Sequence, residues 1–128
     1  MKKKIVAGVL GLTLLMPLGA GAAYKSYTGY VLGGNSSNNY TGYHSKETSN
    51  QHIMNTVENF QKASSANFWA QRSGADTVSS KYNQKKGNTT KIKFDDTVNK
   101  GQKVRLAMEN ANWKQFSRAF VAGRADFR

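Results

Sequence analysis

Apolar and polar residues alternate strictly over residues 90–94 and again over 104–108. Thr90, Ile92 and Phe94 share one side against Lys91 and Lys93, and Val104, Leu106 and Met108 share one side against Lys103, Arg105 and Ala107. A period of two fits an extended chain with one face in a core and the other in water; on a helix these residues would be scattered around the axis. Residues 119–127 alternate as well, with Ala119, Val121, Gly123, Ala125 and Phe127 on one side. The expected fold is therefore all-β, an antiparallel β-sandwich to which each strand gives alternate residues as core.

The connection "DDTVNKG", residues 95–101, is rich in turn formers and suggests that the two alternating runs form a β-hairpin. On such a hairpin Lys91, Lys93, Lys103 and Arg105 would project from one outer face. Like charges directly opposed across strands repel, so these four residues form the candidate anion-binding face, with solvent or an anion offsetting the repulsion.

Elsewhere "SANFWAQ" and "TVSSKYN" read as short strands parted by the turn signal Ser73-Gly74. In "SNQHIMNTVENFQKAS", Ile53, Val57 and Phe60 recur at helical spacing, yet Ile53, Asn55 and Val57 alternate. Residues 50–64 are assigned to a strand because the segments around them are β. Phe68 and Trp69 are adjacent and so face opposite sides, one in the core and the other exposed or covered by a loop.

A phrase is also written twice: Tyr-Thr-Gly-Tyr occupies residues 27–30 and again 40–43, with the polar loop "GGNSSNN" between. Tyr and Thr favour a half-buried pleated surface, and a glycine at the same place in both copies suggests a bulge. Two strands joined by a loop account for the repeat, with the tyrosines packed across strands. Their functional alternative is an aromatic rim for stacking on sugars, made of Tyr30, Tyr43, Trp69 and Trp113.

Lys2, Lys3 and Lys4 precede an apolar run over residues 5–18, and Ala20-Gly21-Ala22 follows. This is the pattern of a cleavable signal peptide, expected at residues 1–22, with a single secreted domain at 23–128. The apolar run is shorter than the roughly 20 residues a membrane-spanning helix needs. No cysteine is present, so an ordinary core and hydrogen bonds must supply the stability that disulfides give many secreted domains. The chain carries 19 Lys plus Arg against 7 Asp plus Glu, a formal net charge of +12, of which residues 23–128 keep +9. A field of that sign attracts polyanions. The expected partner is an anionic cell-wall polymer, a wall precursor or an anionic membrane surface, and no specific nucleic acid is expected.

The sequence offers little for catalysis. His44 and His52 are the two histidines, and no cysteine nucleophile accompanies them. Asp95-Asp96 reads as a solvated turn, His44, Glu47 and His52 match no metal-ligand spacing, and "LGGN" lacks the lysine and helix of a phosphate loop. No catalytic residue, metal or cofactor is expected.

The order of features resembles a known family. A tyrosine-rich opening with "NSSNNYTGYHSKETSN", a central "NFWA", then "GQKVRLAMENANW" and a final "VAGRADF" resemble small, cysteine-free secreted proteins of Gram-positive bacteria that carry a domain of unknown function. The chain departs from that family in lacking a tryptophan in its final strand. In overall class it is similar to the lactococcin-type bacteriocins, secreted cationic β-sandwiches. The resemblance implies an all-β extracellular protein and a bacterial host, and it supplies no catalytic residues to carry over. The expected function is non-enzymatic binding of an anionic cell-envelope component with bacteriocin-like antibacterial action; the alternative is an extracellular adhesion or matrix module without toxicity.

Overall fold

The computed structural model describes residues 24–128 apart from 35, 36, 113 and 115–117. The expected signal peptide and Trp113 lie outside the described residues. Ten strands follow in order: β1 (Tyr24–Leu32), β2 (Asn39–Tyr40), β3 (His44–Ser45), β4 (His52–Gln61), β5 (Ser65–Arg72), β6 (Asp76–Thr77), β7 (Tyr82–Lys85), β8 (Thr89–Lys93), β9 (Lys103–Asn110) and β10 (Ala119–Asp126). All pairings are antiparallel, and no α-helix occurs among the described residues.

One sheet runs β1-β10-β4-β8. In the other, β9 and β5 pair centrally, β2 and β3 line the far side of β9, and β6 and β7 line the far side of β5. Because β1 touches β2 and β9 while β8 touches β5 and β7, the sheets stack face to face in the same lateral order. This is the expected sandwich. Its core is built from alternate residues: Ile53 and Val57 of β4, Phe68 of β5, Ile92 of β8, Val104, Leu106 and Met108 of β9, and Val121 of β10.

The segment with two competing periods is β4. Neighbours on both sides supply its main-chain hydrogen bonds, and Ile53, Asn55 and Val57 all turn inward. Opposite β10 the pairing then slips by one residue, since Val57 faces Gly123 but Asn59 faces Ala122. A slip of one reverses the side-chain parity. Phe60 therefore also meets the core, and the apparent helical spacing of Ile53, Val57 and Phe60 is that of a bulged strand.

The expected hairpin does not form. β8 pairs with β4 and β9 pairs with β5, so the two runs lie in opposite sheets. The nine residues between them cross from one sheet to the other. Val98, fully buried midway, joins the core. The Gln51 side chain holds it there: Nε2 donates to the Val98 carbonyl over 2.7 Å, and the Val98 N–H donates to Oε1 over 2.8 Å. "TVSSKYN" is likewise not one strand. It splits into β6 and β7 around Ser79, whose hydroxyl accepts the Ala70 N–H over 2.8 Å in place of a main-chain carbonyl.

Candidate functional site

The separation of β8 from β9 dissolves the predicted anion-binding face. Lys91 and Lys93 are exposed on the outer side of one sheet, whereas Lys103 and Arg105 lie on the outer side of the other. Arg105 is also committed to neighbours. Its Nε and Nη2 donate to Gln71 Oε1 over 2.9 and 2.8 Å, and its guanidinium lies 3.9 Å from the Tyr40 ring centroid and 4.7 Å from that of Tyr43.

The basic residues do gather elsewhere. β7, its turn and β8 form one lateral edge of the sandwich, and that edge carries Lys85, Lys86, Lys91 and Lys93, all exposed and none paired with a carboxylate. The turn is fixed in place. Gly87 takes φ 87°, a conformation easy for glycine, and it donates to the Val57 carbonyl over 2.8 Å while Val57 N–H donates to Asn88 O over 3.0 Å. The sequence signal for this edge is residues 81–93, which hold five lysines and no acid.

The opposite edge is built from the repeated phrase. In β1, Tyr27 faces Gly123 and Tyr30 faces Val121, so Thr28 and Gly29 together oppose Ala122 alone; Gly29 takes φ 64°. In the second copy, Tyr40 faces Ala107 and His44 faces Val104, again one residue in excess. There the Thr41 hydroxyl accepts the Leu106 N–H over 2.9 Å, standing in for a carbonyl. Residues i and i+3 of a regular strand point to opposite faces, but one extra residue puts them on the same face. Tyr27 and Tyr30 accordingly both turn inward and their rings meet at 5.5 Å, whereas Tyr40 and Tyr43 both turn outward and hold Arg105 between them. The repeat thus encodes a repeated bulge. Its tyrosines pack within each copy and against the strand each copy pairs with, Tyr27 on Gly123 of β10 and Tyr40 and Tyr43 on Arg105 of β9, and not copy against copy, because the two copies belong to different sheets.

At this edge, between β1 and β2–β3, opens a cleft of about 470 Å³, lined by Tyr24, Lys25, Tyr27, Tyr30, His44 and Phe127 among others. His44 stacks on Phe127 at 4.3 Å. Burial lowers the His44 pKa from its ordinary value, and the Lys25 charge lowers it further. The Tyr27 hydroxyl, deep in the cleft wall, donates to Asn55 Oδ1 over 2.8 Å; Asn55 Nδ2 donates in turn to Gln84 Oε1 over 2.9 Å. Burial drives the Tyr27 pKa well above the usual phenol range, which keeps this hydroxyl a donor.

Of the described members of the expected aromatic rim, Tyr30 and Tyr43 are half-buried, and among them Tyr30 alone lines the cleft. Trp69 faces outward as expected of one member of the Phe68-Trp69 pair, but it is only 3% exposed, with Lys81 Nζ 4.7 Å from its ring centroid and Glu109 pairing that lysine at 3.0 Å. It offers no open platform. Lys46, which reads as a surface lysine from sequence, is 2% exposed: its Nζ donates to the Arg128 main-chain oxygen over 2.7 Å and lies 5.5 Å from the Phe94 centroid.

For hydrolytic or metal chemistry the arrangement offers little. Asp96 accepts from Arg72 Nη2 over 2.8 Å while Asp95 is exposed beside it. His44, Glu47 and His52 are not brought together, and no group of three His, Asp or Glu suited to a metal occurs among the described residues. No family model, no curated protein and no solved structure matches this chain.

Proposed function

We propose that this protein is a secreted, non-enzymatic, cationic binding protein whose target is an anionic component of a cell envelope, and that the β7–β8 edge is its contact surface. One observation carries the reading: the segregation of charge. Of the seven acids, Glu58, Asp76, Asp96, Glu109 and Asp126 each already face an arginine or lysine elsewhere and Glu47 lies by the opposite edge, so that Asp95, just past the end of β8, is the one carboxylate left near Lys85, Lys86, Lys91 and Lys93. Lysines on an edge strand also deter pairing with other sheets, and the two roles are compatible.

Contact through exposed lysines is electrostatic and must weaken as salt rises, because the screening length falls from about 30 Å at 0.01 M to about 3 Å at 1 M. Cosedimentation with phosphatidylglycerol vesicles and with teichoic acid across that range tests it. Binding that is strong in dilute buffer and lost in concentrated salt supports the reading; binding indifferent to salt, or none at any salt, contradicts it. Growth of a Gram-positive indicator strain in the presence of the protein then separates a bacteriocin-like role from an adhesion or matrix role on the same surface.

A further inference from the structure

We infer that the cleft between β1 and β2–β3 is a second binding site, separate from the lysine edge, and that it takes one acidic sugar ring, a pyranose bearing a carboxylate. Its volume of about 470 Å³ lies within the range of small-ligand sites. The walls are aromatic. Tyr30 on one side and His44 on the other, both half-buried, present the accessible rings, and the buried Tyr27 and Phe127 against which they pack stand behind them. The C–H face of a pyranose is slightly positive and suits the negative face of such rings.

The polar groups around the cleft are unspent. The Tyr30 hydroxyl, the His44 ring nitrogens and the Lys25 ammonium make no hydrogen bond or ion pair among the described residues. Lys25 pairs with Ala125, a position whose side chain faces the interior, so its register turns it toward the cleft rather than along the outer face. A second recess of about 210 Å³ shares Lys25, His44 and Phe127, which leaves the ammonium between two openings. With His44 held neutral, Lys25 is the cation that selects the ligand's charge.

An extended peptide suits the site less well. Strand addition needs a continuous row of free main-chain groups, and here the bulge at Thr28-Gly29 breaks the row while Asn39 Nδ2 already donates to the Val31 carbonyl over 2.9 Å.

The test is an NMR titration of the protein with glucuronate, glucose and acetate. Glucuronate is expected to give saturable shifts at Ser26, Tyr30 and His44 with an affinity of about millimolar order, and glucose about tenfold weaker binding for want of the charge-assisted contact. Acetate is expected to give no saturable shift. Lys25→Gln, exposed and so harmless to folding, is expected to equalise the two sugars, while the variant with Lys85, Lys86, Lys91 and Lys93 all changed to Gln keeps the preference. Linear, unsaturating shifts with glucuronate, equal affinity for glucose, saturable acetate binding at the same residues, or a preference that survives Lys25→Gln each overturns the proposal.

Discussion

The phenol ring of Tyr27 lies on Gly123 and, with the Thr56 carbonyl oxygen, fills the space in which a side chain there would stand: a Cβ would meet the Thr56 oxygen closest of all and come within 2.6 Å of Tyr27 Oη and 2.8 Å of its Cζ. The two residues face each other across the β1–β10 pairing. A glycine in a central strand, which costs conformational entropy, is thereby explained by what lies on it. Gly123→Ala is expected to destabilise by about 1–3 kcal/mol or more through overpacking, and Tyr27→Leu is expected to cost less in the Gly123→Ala background than in the native one, since it relieves the contact with the phenol ring though not that with the Thr56 carbonyl. Urea unfolding of the single and double variants checks both.

Tyr27 also heads a buried polar chain, since Asn55 and Gln84 are fully buried and each depends on the other for hydrogen bonds. Tyr27→Phe removes the donor to Asn55 Oδ1 and strands a buried acceptor, at an expected cost of about 1–3 kcal/mol. Changing Asn55 to Leu in addition is expected to leave Gln84 unsatisfied and to cost more than Tyr27→Phe alone. Equilibrium denaturation resolves differences of this size.

Arg105 between Tyr40 and Tyr43 is a structural clamp. The coupling of Arg105 with Tyr43 in a double-mutant cycle is expected at about 0.5–2 kcal/mol. Arg105→Lys is expected to lose most of it, because an ammonium cannot make the two-pronged contact with Gln71. Equal stability of all four members of the cycle contradicts the clamp.

Both histidines have lowered pKa values. For His44 the causes are burial and then Lys25; for His52 they are burial, then Lys91 and Lys46, with Asp126 opposing. Folding therefore favours the neutral rings, and the unfolded chain binds more protons below its ordinary value of about 6.5. Stability is fully present above that pH and is lost as pH falls through 6.5 toward the lowered folded values. Urea midpoints at intervals between pH 8 and 5 are expected to decline for the native protein and to flatten when His44 and His52 are both changed to Gln. Lys91→Gln, by relieving His52, is expected to lessen the decline.

Much of the architecture was legible because a period of two states directly which residues share a face. Ile92, Leu106 and Val121 fall in the core as their alternation requires. What alternation cannot state is which strand pairs with which. Turn formers over residues 95–101 suggested a hairpin, but Val98 among them marks a segment that enters the core, and an apolar residue amid a polar connection was the available sign. The bulges were harder to read. Ile53, Val57 and Phe60 break the period of two only because one residue is inserted, and the doubled Tyr-Thr-Gly-Tyr showed where a bulge recurs without showing that one pair of tyrosines turns in and the other out. Lys46 gave no local sign of burial; its partner, the Arg128 main chain, lies 82 residues away in sequence.

The most direct test of the account compares two quadruple variants for binding to phosphatidylglycerol vesicles at low salt. In one, Lys85, Lys86, Lys91 and Lys93 become Gln; in the other, the exposed Lys62, Lys100, Lys103 and Arg118 become Gln, so both lose the same net charge. If the β7–β8 edge is the contact surface, the first variant weakens binding on the order of a thousandfold, about 1 kcal/mol for each lysine, and the second only a few-fold, with both folds intact by circular dichroism. Equal losses would show that net charge alone governs binding, and no loss in either would contradict binding to an anionic envelope altogether.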